Sequence, residues 1–172
     1  IIFNIELPDN FNKPYLSSTI TEFWKRWHIT LSSWIRDYIY IPMGGSRVTF
    51  YLILFNTIVA MTISGLWHGA NYTFIIWGFC NGLIICVEKI LNYNSIKFKP
   101  IKIFKNIFLV FNLWVLFRCS SIENAITFYG LLYTSEFFSI FVENYYVALI
   151  SIFFITFQVI DRTKIYLKFF KD

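Results

Sequence analysis

The chain has two histidines in 172 residues, and they lie in different surroundings. His68 falls within Ser64-Gly65-Leu66-Trp67-His68-Gly69-Ala70-Asn71, a break with two glycines in an otherwise apolar run. An ionisable group between two apolar segments is costly to hold and marks a functional position in membrane proteins by default. Burial disfavours imidazolium, so His68 is expected to be neutral near physiological pH. A neutral imidazole can take the proton of a hydroxyl as its oxygen attacks a carbonyl. Gly65 and Gly69 permit close backbone approach to such a group. His68 reads equally well as a hydrogen-bonded packing residue between helices, and residue type alone does not separate the two.

His28 sits in an amphipathic segment, 17–47. Thr19-Ile20-Thr21-Glu22 has the form of a capping box, with Thr19 as N-cap and Glu22 at N3. The pattern predicts one helix from there to about Tyr38. At helical periodicity Phe23, Trp27, Leu31, Trp34 and Tyr38 share a face, with Trp24 and Ile35 beside it and His28 at its edge. The helix is too charged to span a bilayer, so it is expected to be interfacial or re-entrant. Either its tryptophans anchor it at headgroup depth, or it lines a chamber into which His28 points. Ile41-Pro42-Met43-Gly44-Gly45-Ser46-Arg47 follows and predicts a tight turn.

Other chemistries find little support. There is no Gly-x-Ser-x-Gly elbow, Walker loop or dinucleotide fingerprint. No nucleic-acid motif is present. Cys80, Cys86 and Cys119 lack metal-ligand spacing, so no metal site is expected and the thiols read as small packing residues. Cofactor-binding residues are not legible.

The elements that position the histidines follow from composition and charge. Hydrophobic residues make up 57% and charged residues 15%, against about 45–50% and about 25% in soluble domains. That composition excludes disorder and a simple soluble domain. Forty residues between Arg47 and Glu88 carry no Asp, Glu, Lys or Arg. As one helix they would run roughly 60 Å, twice the ~30 Å of a hydrocarbon core, so they must cross and return. Spans are expected at about 48–64, 72–87, 103–117 and 144–160, with a basic linker at 97–105 and a loop at 118–143 that contains a helix near 123–132. The expected fold class is all-α, with multi-pass transmembrane helices behind the amphipathic segment. Lys and Arg number five before the first span, five after the second and four in the tail, against none at the His68 turn. That asymmetry puts the three basic segments on the cytoplasmic side. The first fourteen residues show no signal-peptide pattern, and the chain is expected to be the C-terminal part of a longer membrane domain, 1–172.

Several motifs, in order, resemble the membrane-bound O-acyltransferase family. They are Phe11-Asn12-Lys13-Pro14-Tyr15, Glu22-Phe23-Trp24-Lys25-Arg26-Trp27-His28, Trp34-Ile35-Arg36-Asp37-Tyr38, Tyr40-Ile41-Pro42-Met43-Gly44-Gly45-Ser46-Arg47 and Ser64-Gly65-Leu66-Trp67-His68-Gly69-Ala70. A weaker one is Trp114-Val115-Leu116-Phe117-Arg118 followed by Ala125. The resemblance runs from about Phe11 to Ala125 and is closest to the bacterial branch that O-acetylates polysaccharides such as alginate and peptidoglycan. The D-alanyl transferases of teichoic acids are similar around His28 but usually lack the Pro-Met-Gly-Gly turn.

The resemblance implies an acyl group, acetyl by preference, taken from a cytoplasmic thioester such as acetyl-CoA and passed to a hydroxyl of an extracytoplasmic polysaccharide. It implies His68 as general base and His28 as a second catalytic position that orients substrate or polarises the carbonyl. Trp27, Arg36 and Asp37 would be framework. It implies a lipid bilayer as host, the inner (cytoplasmic) membrane as location, and a periplasmic or extracellular hydrolase-like acetyltransferase partner. The competing reading is a transporter or channel fragment with His68 as a gate or proton site, which predicts further charges inside the spans.

Overall fold

The chain carries too many apolar side chains to hide them all from solvent, and the helices turn part of that surface outward. The computed structural model describes residues 8–91 and 98–132, with positions 134, 139, 142, 145, 146, 149, 150 and 153 beyond them. All regular structure among the described residues is helical. A 3₁₀ turn at Pro14–Leu16 precedes α1 (Ile20–Arg26), α2 (Ile29–Ile35), α3 (Phe50–Leu66), α4 (Tyr72–Ile90), α5 (Lys99–Arg118) and α6 (Ile122–Leu132). The chain divides into two compact units, Ile1–Ala125 and Ile126–Asp172, with the boundary inside α6. Both histidines belong to the first.

The predicted single helix from Thr19 to Tyr38 is two helices. Trp27 is extended, and His28 takes the left-handed conformation at φ 44°, ψ 56°. The cause lies upstream. The Asn12 amide donates to the Arg26 carbonyl at 2.8 Å, which closes the end of α1. The Ile29 amide donates to the Asn10 carbonyl at 2.9 Å, and the Thr30 amide and hydroxyl both donate to Asn10 Oδ1. The segment Asn10–Asn12 therefore satisfies the ends that a continuous helix would have satisfied itself. The break also splits the predicted aromatic face. Phe23, Leu31 and Ile35 are buried, whereas Trp34 and Tyr38 are exposed.

The start of α1 follows the predicted cap, shifted by one partner. Thr19 Oγ1 accepts from the Glu22 amide at 2.9 Å. The Glu22 carboxylate reaches the amide and hydroxyl of Ser18, both at 2.8 Å, and pairs with Arg26 at 2.6 Å. After α2 the chain takes one π-helical turn, Arg36–Tyr40, and then the Pro-Met-Gly-Gly turn. Gly44 and Gly45 have φ of 100° and 55°, the region that glycine enters at little cost.

The helices α3 and α4 form a hairpin held close by small residues. A Cβ on Gly65 would lie 2.1 Å from the Phe74 carbonyl oxygen, and one on Gly78 2.4 Å from that of Met61. Close backbone approach through small residues is how apolar helices pack where lipid offers the same surface as leucine. Both α4 and α5 are long and apolar enough to cross a membrane, while α3 is shorter, at 17 residues. On α5, Ile101, Phe104, Phe108 and Phe111 are exposed in one stripe, and Asn106 points inward to Ser17 Oγ at 2.8 Å.

The predicted linker 97–105 is helical from Lys99, with Pro100 in the first turn, where its missing N–H costs nothing. The predicted span 144–160 is described only at Tyr145, Tyr146, Leu149, Ile150 and Phe153, all exposed. The basic tail from Asp161 lies outside the described residues.

Glu88, on α4, is 9% exposed and accepts from the Ile20 amide at 2.8 Å, the Thr21 amide at 3.1 Å and the Thr21 hydroxyl at 2.9 Å. Replacing it with Ala leaves two amides of α1 without an acceptor, which costs about 1–3 kcal/mol per unsatisfied buried group. Thermal unfolding in detergent, followed by tryptophan fluorescence, should show Glu88→Ala well below wild type and Glu88→Gln between them.

Candidate active site

Two helix breaks bring the two histidines to one place. His68 sits in the turn between α3 and α4, its amide donating to the Gly65 carbonyl at 3.0 Å. His28 sits in the break between α1 and α2. Both line a cavity of about 190 Å³ whose other walls are Phe23, Trp24, Trp27, Trp77, Asn81, Val110, Leu113, Trp114 and Phe117. The chamber is thus mostly aromatic, with two imidazoles and one amide as its polar groups.

The His68 ring is caged edge-on, 4.9 Å from Trp67, 5.6 Å from Trp77 and 4.9 Å from Phe117. Phe117 comes from α5, so the weaker Trp114–Arg118 motif supplies part of the cage. Burial pushes the His68 pKa below the ordinary 6.5, and the nearby His28 pushes it further the same way. His68 therefore stays neutral, able to accept a proton, to a lower pH than a free imidazole. His28 Nδ1 is buried and makes no hydrogen bond among the described residues. The ring stands 5.9 Å from Trp67 and 6.4 Å from Phe11.

A second, larger cavity of about 450 Å³ adjoins the same helices. Lys25, Arg36 and Lys89 line it together with seven hydroxyl-bearing residues, and no carboxylate does. Lys89 Nζ donates to Thr57 Oγ1 at 3.0 Å and lies 5.8 Å over the Tyr40 ring. Arg36 pairs with Asp37 at 2.7 Å outside that lining. Two lysines, an arginine paired with Asp37 and many hydroxyls make a lining suited to anionic oxygens. Among the described residues no three His, Cys, Asp or Glu converge as a metal set.

Sequence reasoning pointed to both histidines but not to Asn81, Glu88 or the cationic cavity. A polar Asn81 and an acidic Glu88 seven residues apart share one face of α4, and that spacing was the available signal.

The helices and this chamber define an all-helical membrane protein with a histidine pair enclosed in aromatic walls. The profile of the membrane-bound O-acyltransferase family matches residues 2–131, and the chain belongs to that family. A probable alginate O-acetylase of Pseudomonas putida is 40% identical over 136 residues, covering 78% of this chain and 28% of the relative. A peptidoglycan O-acetyltransferase of Helicobacter pylori is 43% identical over 131 residues, 73% of this chain and 25% of the relative. A teichoic acid D-alanyltransferase of Bacillus subtilis is 30% identical over 112 residues, 57% of this chain and 27% of the relative. The chain spans about a quarter of the length of these relatives.

In histidine-labelled protein followed by NMR, the His68 midpoint is expected below 6.5. In His28→Asn the neighbouring imidazole is gone, so the His68 midpoint should move up towards the ordinary value. A midpoint that stays put would show that burial alone sets it.

Proposed function

We propose that the full-length protein is a membrane O-acyltransferase, acetyl by preference, of which this chain is the C-terminal part of the membrane domain. The observation that carries this reading is the joint lining of one aromatic chamber by His28 and His68 beside a cationic cavity. The family membership and the names of the relatives support the same chemistry.

The acyl donor is a thioester with a phosphate-bearing handle, of which acetyl-CoA is the simplest. Its handle lies against Lys25, Arg36 and Lys89 in the larger cavity, and its acyl end lies in the chamber. These cations belong to the segments that the charge asymmetry assigns to the cytoplasm. The neutral His68 ring takes the proton from the acceptor hydroxyl as the oxygen attacks the thioester carbonyl. The new C–O bond forms, the C–S bond breaks, and the proton passes from His68 to the leaving thiolate. His28 donates from the chamber wall to the oxyanion of the tetrahedral intermediate. The aromatic walls exclude water, so the acyl group is kept from hydrolysis.

The acceptor is a hydroxyl of an extracytoplasmic polysaccharide, reached directly or through a periplasmic hydrolase-like partner that carries the acyl group on. The protein is a multi-pass resident of the cytoplasmic membrane. The stretch 48–87 carries no charge, which disfavours the transport reading.

Ester-linked acetate on the cell-envelope polysaccharide tests this, with variants of the full-length gene at matched membrane levels. His68→Ala should lower acetate by about 100-fold or more, the usual worth of a positioned general base. His28→Ala should also lower it, by up to about 100–1,000-fold where an oxyanion donor is lost. Acetate unchanged in His68→Ala would remove the proposed base and bring the transport reading forward.

A further inference from the structure

Among the described residues, Trp24 is the one side chain that lines both cavities. Its indole is held in place on several sides. Nε1–H donates to Asn81 Oδ1 at 3.1 Å. The ring meets Trp77 at 5.5 Å and 79°, and Phe23 at 5.5 Å and 87°. Asn81 is 2% exposed and is itself fixed by donating from Nδ2 to the Trp77 carbonyl at 2.9 Å. A buried amide that gives one bond to its own helix and takes one from an indole has no cheap alternative orientation. The indole is thus a side chain of set position shared by a small aromatic chamber and a larger cationic cavity.

We propose that Trp24, latched by Asn81, sets the size of the acyl group transferred by narrowing the way from the larger cavity into the histidine chamber. The inference rests on the acyl-transfer reading above. With the latch in place the chamber accommodates a short acyl group against Trp24 and Trp77. Without it, the way between the two cavities widens and a longer chain has room to lie across it. Trp24 is then a specificity-determining residue, and Asn81 a positioning residue acting through it.

The test uses membranes containing the full-length protein and acetyl-, butyryl- and hexanoyl-CoA as donors. The hexanoyl-to-acetyl ratio should rise about tenfold or more in Trp24→Ala, in line with the modest worth of each methylene in an apolar pocket. Asn81→Leu and Trp24→Phe, which spare most of the packing, should move it the same way by less. A wild-type donor profile in the variants, or an equal fall for every donor, overturns the proposal.

A second readout is independent of acyl transfer. In a cysteine-free background, Leu113→Cys places a thiol in the chamber wall. Methanethiosulfonate reagents of increasing size should react with it more evenly once Asn81→Leu removes the latch. An unchanged size dependence overturns the narrowing. Absence of wild-type transfer from any donor would count against the acyl-transfer reading alone, and the thiol experiment would still decide the narrowing.

Discussion

The contact between Glu88 and the amino end of α1 determines where the chamber can be. A seven-residue helix has too few internal hydrogen bonds to hold itself, since isolated helices below about 12–15 residues are marginal in water. Glu88 supplies the acceptors that α1 lacks, and its negative charge suits the positive end of the helix. The effect extends along both helices. Glu88 meets Ile20 and Thr21, Asn81 meets Trp24, and Trp77 packs on Trp24. Residue numbers rise along α1 as they fall along α4, so the two run antiparallel in contact. The carboxylate thereby fixes both the rotation of α1 and its height against α4. The far end of that ladder is where α1 stops and His28 begins.

Polar residues in the helices serve the same purpose. Asn56 donates to the Met43 carbonyl, Asn81 accepts from Trp24, and Asn106 donates to Ser17. Each ties an apolar helix to the segment 8–47, and each is buried. In an apolar medium an unpaired amide is expensive, so such residues face the protein and act as cross-links. The exposed stripe on α5 is the complement, apolar side chains that face outward from the helices. The amphipathic segment is therefore held by the helices. It is fastened to α3, α4 and α5 at separate points, and the chamber forms among them.

Much of this was legible in the sequence, for reasons that particular residues make plain. The charge-free stretch from 48 to 87 and the glycine-flanked His68 gave the α3–α4 hairpin and its turn, because these are local signals. The cap at Thr19 was local as well. The break at His28 was not, because its cause is Asn10, eighteen residues upstream, and a helical pattern that continues through Trp27 and Leu31 conceals it. Glu88 was visible only as the charge that ends an apolar run, and its partners on α1 lie 67 and 68 residues away. The cationic cavity was hidden for the same reason, since Lys25, Arg36 and Lys89 come from three elements. Local pattern showed which residues could do chemistry, but long-range hydrogen bonds determined how they are grouped.

The left-handed backbone at His28 explains how two short helices serve better than one long one. A non-glycine residue at positive φ costs roughly 1–2 kcal/mol. Here Asn10 and Asn12 offset it, through four hydrogen bonds to Arg26, Ile29 and Thr30. In a continuous helix His28 would follow Trp27 by 100° and sit at the edge of the aromatic face, as its periodicity suggests. The break instead gives His28 a direction independent of the helix on either side. Its ring can enter the chamber while Phe23 and Trp27 remain packed below and Leu31 and Ile35 pack on Ala60. His68 reaches the same chamber from a turn, beyond the end of α3. Placing both imidazoles outside helices frees their rings from helical side-chain geometry, and the helices are left to build the walls around them.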